Sequence, residues 1–163
     1  MMLPLPNENP FTVLTLIAAP AVFTNASSVL ALGTSNRLAR VVDRTRILAR
    51  ELHASSIHDE ATELWVNHLS RLEQRGSLLV RAMSFFYGAI GAFAAASLVS
   101  ILGAVLANSV YRLPFEAVAG IGFIAGTIGF IGLSVGCALL VRETRLALRN
   151  MSEEAEMAKR WAK

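Results

Sequence analysis

Three stretches of the chain contain no Asp, Glu, Lys or Arg: residues 9–36, 82–111 and 117–141. Each exceeds the ~20 apolar residues that an α-helix needs to cross the ~30 Å hydrocarbon core of a bilayer. With 54% of 163 residues hydrophobic, the composition fits a membrane protein better than a soluble domain of this size. The expected fold is therefore all-α: a polytopic membrane protein with three transmembrane helices at 11–33, 82–110 and 117–141, forming a single membrane domain.

The charges set the expected orientation. Segment 34–81 contains eight Arg and segment 142–163 contains six Lys or Arg, whereas the opposite side has only Arg112. Basic segments stay cytoplasmic, which puts the N-terminus outside, the 111–116 loop outside and the C-terminus in the cytoplasm. The isoelectric point near 9.6 then reflects topology and anionic headgroups. Membrane lipids are expected partners and nucleic acid is not. The first stretch is not expected to be a cleaved secretory signal, because no Lys or Arg precedes it. Cys137, the single cysteine, lies in the third stretch, so no internal disulfide forms and a buried apolar role is expected.

Few breakers interrupt the helical pattern. Pro10 suits a first helical turn, Pro20 predicts a kink, and nothing but Gly33 opposes a helix as far as Leu52. The "HASSIHDE" run, His53 to Glu60, is a turn with Asp59 and Glu60 opening the next helix. A second helix from Asp59 to Asn108 would be about 75 Å long at ~1.5 Å per residue, so part of it must leave the membrane. "NSVYRLP" forms a short loop, Pro114 and Glu116 open the third helix, and that helix runs on into the tail.

Steps of four and three from Ile17 trace a seam through Ala21, Thr24, Ser28, Ala31, Ser35, Leu38, Val42, Thr45, Ala49 and Leu52. The second helix has a similar one: Trp65, Leu69, Leu72, Gly76, Leu79, Met83 and Phe86. This 3.5-residue repeat predicts a cytoplasmic antiparallel helical hairpin, a coiled coil continuous with the membrane helices, over residues 34–81. The tail has a weaker version in Leu148, Met151, Ala155, Ala158 and Ala162.

Thr24, Asn25, Ser28 and Ser35 have two readings. Small hydroxyls on one face can line a water-filled pathway, or they can let helices approach closely and bond across the contact. Because the stripe continues into the apolar seam beyond the membrane, packing is favoured, and the two readings merge if the seam surrounds the axis of an oligomer. Arg37, Arg40 and Arg44 cluster opposite this seam, below the membrane boundary. They suit headgroup contact and topology fixing, or an inner mouth that attracts anions. Glu116 is an outer-mouth candidate, although a carboxylate is expected at a helix start anyway.

Glycines at 122, 126, 129, 132 and 136 on the third helix, joined by Gly88, Gly91, Ala95 and Gly103 on the second, suit close helix contact within or between chains. Asn25-Ala26-Ser27 matches a glycosylation pattern but falls within a span. His53, His58 and His68 lack metal-ligand spacing, so neither a metal site nor a cofactor is expected. No phosphate loop, nucleophile elbow or paired intramembrane carboxylates occur, and an enzyme is not expected.

The run "NRLARVVDRTR", Asn36 to Arg46, and the upstream "PFTVLTLIAAPAVFTNASSVLAL" resemble a family of small bacterial membrane proteins catalogued as domain of unknown function 2721. The resemblance implies the bacterial inner membrane and transfers no activity and no catalytic residue. Asp43, within that run, is expected to pair with Arg40, Arg46 or a neighbouring chain's arginine. The reading is a homo-oligomer with a channel-like pore for small ions lined by the first helix. The alternative is a non-conducting scaffold or regulatory protein whose cytoplasmic coiled coil binds an unidentified protein partner.

Overall fold

The computed structural model describes the backbone of residues 10–54, 59–106 and 112–161, and the side chains of 18–51, 67–103 and 117–152. It has three long helices: α1 (Pro10–Ala54, 45 residues), α2 (Asp59–Leu106, 48 residues) and α3 (Arg112–Trp161, 50 residues). The described residues are thus all-α. α1 continues through Pro20, and α3 begins inside the segment expected as the 111–116 loop. Glu116 therefore lies in the second turn of α3, beyond the first turn to which a helix-start role belongs.

The segments Asn67–Gly103 of α2 and Ala117–Ser152 of α3 are long and apolar enough to cross a membrane. Only 22% and 11% of these windows are buried, the opposite of a soluble core helix. Phe123 is 78% exposed, and Leu98, Ile101, Leu102, Ile121, Ile124, Ile128 and Ile131 are exposed with it. An exposed apolar surface of this kind suggests membrane association.

The helices contribute to two compact units. The first joins Met1–Leu30 with Phe85–Ser134, and the second joins Ala31–Ser84 with Val135–Lys163. In the first, Phe86, Ala89, Phe93 and Ala96 line the buried face of α2. Phe23 stacks on Phe93 with ring centroids 5.3 Å apart and meets Phe130 edge-on at 6.2 Å. Glycine makes this packing fit: a Cβ on Gly129 would lie 2.9 Å from the Phe93 ring, and one on Gly122 would lie 3.1 Å from Val99. A Cβ on Gly132 would approach the Phe85 carbonyl at 3.4 Å. These glycine contacts run within the chain, whereas a Cβ on Gly88, Gly91 or Gly126 would meet nothing within 4 Å.

In the second unit Val41, Leu72 and Leu79 form a core against which Leu38, Leu48 and Leu140 pack. Leu72, Leu79 and Phe86 are buried, as the α2 seam anticipates. On α1 the buried stripe is displaced by one residue from the expected seam. Ser27, Ala31, Thr34 and Val41 are buried, with Leu38, Thr45 and Leu48 half-buried between or beyond them. Val42 is 38% exposed, and Ser28 and Ala49 are exposed. Both tracks contain Ala31, Leu38 and Thr45, but the observed one buries Leu48 rather than Ala49 and so removes more apolar area from solvent. In the tail, Leu148 and Met151 are exposed within the chain.

Most hydroxyls bond to their own helix. Thr24, Ser28, Thr45, Ser84, Ser97, Ser100, Thr127, Ser134 and Thr144 each donate to the carbonyl four residues earlier, at 2.8–3.1 Å. Ser27 is fully buried, and its Oγ has no hydrogen-bond partner among the described residues.

Candidate functional site

The second unit contains a cleft of about 630 Å³ lined by residues from all three helices. α1 supplies Arg37, Arg40 and Arg44, and α2 supplies His68, Arg71 and Arg75. Both sets follow a three-then-four spacing, which brings each onto one helix face. α3 adds Glu143, Thr144, Ala147, Asn150 and Met151, while Val41 and Leu72 extend the adjacent core into the wall. Arg37, Arg40 and Arg44 therefore flank the buried stripe of α1 and do not lie opposite it, a consequence of its one-residue displacement.

Glu143 organises the cleft. The residue is 2% exposed, and its carboxylate meets guanidinium groups from two helices. Arg75 donates through Nε at 3.0 Å and Nη2 at 2.8 Å, both to Oε1. Arg37 Nη1 lies 3.6 Å from Oε2 and donates to Thr144 Oγ1 at 3.2 Å. The Thr144 hydroxyl in turn donates to the Leu140 carbonyl at 2.9 Å. A buried carboxylate needs such partners, because an unpaired charge away from water is costly.

The other arginines extend outward. Arg71 Nη1 donates to Asn150 Oδ1 at 3.5 Å, and Arg40 Nε donates to the Asn36 carbonyl at 3.3 Å. Arg40 and Arg44 form no ion pair among the described residues. Five arginines against one carboxylate leave the cleft with an excess of four positive charges. Such a field attracts anions, and planar guanidinium groups suit oxyanions that accept several hydrogen bonds.

The other candidates from the sequence lie elsewhere. Thr24 is half-buried and donates to the Pro20 carbonyl, Ser28 is exposed and donates to the Thr24 carbonyl, and Asn25 is exposed. Ser35 is half-buried. Among the described residues, the buried hydroxyl-bearing residues of α1 are Ser27 and Thr34, which the expected stripe passes by. The side chains of Glu116, His53 and His58 fall outside the described residues. Asp43 is exposed and forms no ion pair among the described residues. No group of three or more His, Cys, Asp or Glu suited to a metal occurs among the described residues, and Cys137 is a half-buried free thiol.

Sequence reasoning passed over Glu143 and treated Arg71 and Arg75 only as topology charges. A signal was present: Gly129, Gly136 and Glu143 are spaced by seven, and all three are buried. Extending the glycine face of α3 by one heptad reaches the carboxylate.

A sequence model of a family described as protein of unknown function (DUF2721) matches residues 17–153. No curated protein and no solved structure matches the chain. The matched segment contains the three helices' contributions to the cleft, from Arg37 through Arg75 and Glu143 to Met151. The chain thus belongs to the DUF2721 family of proteins of unknown function.

Proposed function

We propose that the chain works as a homo-oligomer in the bacterial inner membrane and that small ions pass along the polar face of α1. In this reading all three helices span the bilayer, with the N-terminus outside and the hairpin of α1 and α2 reaching into the cytoplasm. Asn25 carries the proposal. It is exposed on the chain's own surface near exposed Val22, Val29 and Leu32, and its side chain has no hydrogen bond among the described residues. A carboxamide left unsatisfied in hydrocarbon costs several kcal/mol, roughly, so water or a second copy must meet it. Ala21, Asn25 and Ser28 are spaced to share one side of α1. Exposed Gly88 and Gly91 favour close approach by another copy.

Purified protein should appear as one discrete multimer by light scattering in mild detergent; a clean monomer across several detergents overturns the proposal. Reconstituted into planar bilayers it should conduct, and Ser28→Leu should reduce the current. A second reading has its own support: Thr24 and Ser28 already spend their donors within α1 and need no water. On that reading the oligomer is a non-conducting scaffold whose cytoplasmic hairpin recruits a protein. Silent bilayers together with one dominant partner crosslinked through the Asp59 to Gly76 surface would establish it. Neither reading involves an enzyme, cofactor or metal.

A further inference from the structure

We propose that the basic cleft is a binding site for a phosphate group. The inference goes beyond the ion-path reading and stands whether or not the protein conducts. Its first support is charge: Arg37, Arg40, Arg44, Arg71 and Arg75 line one cavity with a single carboxylate among them. Like charges gathered on two neighbouring helix segments repel one another unless an anion joins them. Glu143 offsets only part of that repulsion, holding Arg75 and lying beside Arg37. Arg40 and Arg44 are left with no carboxylate among the described residues.

The second support is shape. About 630 Å³ falls within the usual range for small-ligand sites and accommodates a phosphate with part of the molecule that carries it. Val41, Leu72, Ala147 and Met151 make part of the wall apolar, which suits a phosphate attached to an apolar body. The third is position along the helices. Arg37 is the first charged residue after the first uncharged stretch, and Glu143 is the second after the third stretch. Arg75 precedes the second stretch by seven residues, about 10 Å of helix at ~1.5 Å per residue. All three therefore lie where the polar headgroups of a bilayer would be, and basic pockets at that level suit anionic lipid. Phosphate is the chemistry shared by a lipid headgroup and a soluble phosphoester.

The test is native mass spectrometry of the full chain in mild detergent, titrated separately with phosphatidylglycerol, phosphatidylcholine and inorganic phosphate. Phosphatidylglycerol should be retained at roughly tenfold lower concentration than phosphatidylcholine, whose cationic choline opposes the arginines. Retention of inorganic phosphate without any lipid preference would assign the site to a soluble phosphoester. In either case Arg40→Gln/Arg44→Gln should weaken binding about tenfold, since each arginine near a membrane surface contributes appreciably to anion attraction. Arg46→Gln/Arg50→Gln removes the same charge outside the cleft and should leave binding unchanged. Helical circular dichroism checks that both variants fold. Equal effects in the two double variants, or none in either, overturn the proposal.

Discussion

Replacing Glu143 by Gln keeps the volume and one carbonyl acceptor but removes the charge that Arg75 and Arg37 meet. The geometry sets the size of the effect. Two hydrogen bonds from Arg75 end on Oε1 at 3.0 and 2.8 Å, and the Glu143 side chain is 3% exposed. A hydrogen bond to a charged group contributes about 1.5–3 kcal/mol, against about 0.5–1.5 kcal/mol for a neutral one. Losing the charge therefore costs about 1 kcal/mol per bond, or about 2 kcal/mol from Arg75. Arg37 adds little: its side chain is 48% exposed and its nitrogen is 3.6 Å away, which makes it a surface pair worth under about 0.5 kcal/mol.

Glu143→Ala goes further, because it strands both Arg75 donors. The full penalty of about 3–5 kcal/mol for breaking a buried pair is an upper bound here. Arg75 is 26% exposed and recovers some hydration, so about 3 kcal/mol is expected. Unfolding by sodium dodecyl sulfate titration from mixed micelles measures both variants. A double-mutant cycle with Arg75→Gln should give a coupling of about 2 kcal/mol. Salt should change that coupling little, since screening acts weakly on a pair this buried. A Glu143→Gln protein within about 0.5 kcal/mol of the parent, together with additive single effects, would refute the reasoning.

Two further predictions concern packing. Gly129→Ala places a Cβ 2.9 Å from the Phe93 ring, which is buried and stacked on Phe23, so overpacking should cost about 1–3 kcal/mol. Gly126→Ala meets nothing within 4 Å and should be neutral or stabilising by up to about 1 kcal/mol in the same titration. Val41→Ala removes a buried side chain from the second unit's core and should cost about 2 kcal/mol, while Val42→Ala, at an exposed site, should cost under about 0.5 kcal/mol. The reverse order would place the buried stripe of α1 on the seam read from the sequence.

The three helices were readable because long charge-free stretches and a scarcity of breakers bear on backbone conformation directly. The face of α1 was harder to read. Two heptad tracks share Ala31, Leu38 and Thr45 and differ only at the positions between them, and pairing Val42 with Ala49 looks nearly as apolar as pairing Val41 with Leu48. That one-residue ambiguity moves Ser28 and Ser35 off the buried stripe and brings Arg37, Arg40 and Arg44 beside the core. Glu143 was obscured differently. Beside Arg142 it reads as one more topology charge, and its partners lie 68 and 106 residues away in sequence. Local patterns do not carry such a pairing, although the Gly129–Gly136–Glu143 register points to the face where it occurs.

The back-bonded hydroxyls change how oily these helices are to their surroundings. A serine or threonine whose proton sits on its own helix carbonyl offers an apolar medium no bare donor, and that carbonyl is shielded in return. Thr24, Ser28, Thr127 and Ser134 thus transfer into lipid more like short alkyl groups than hydropathy scales for free side chains would assign. Asn25 has no hydroxyl with which to do this and remains the chief wetting point of its segment. Partitioning of an α1 peptide should accordingly respond far more to Asn25→Ala than to Ser28→Ala.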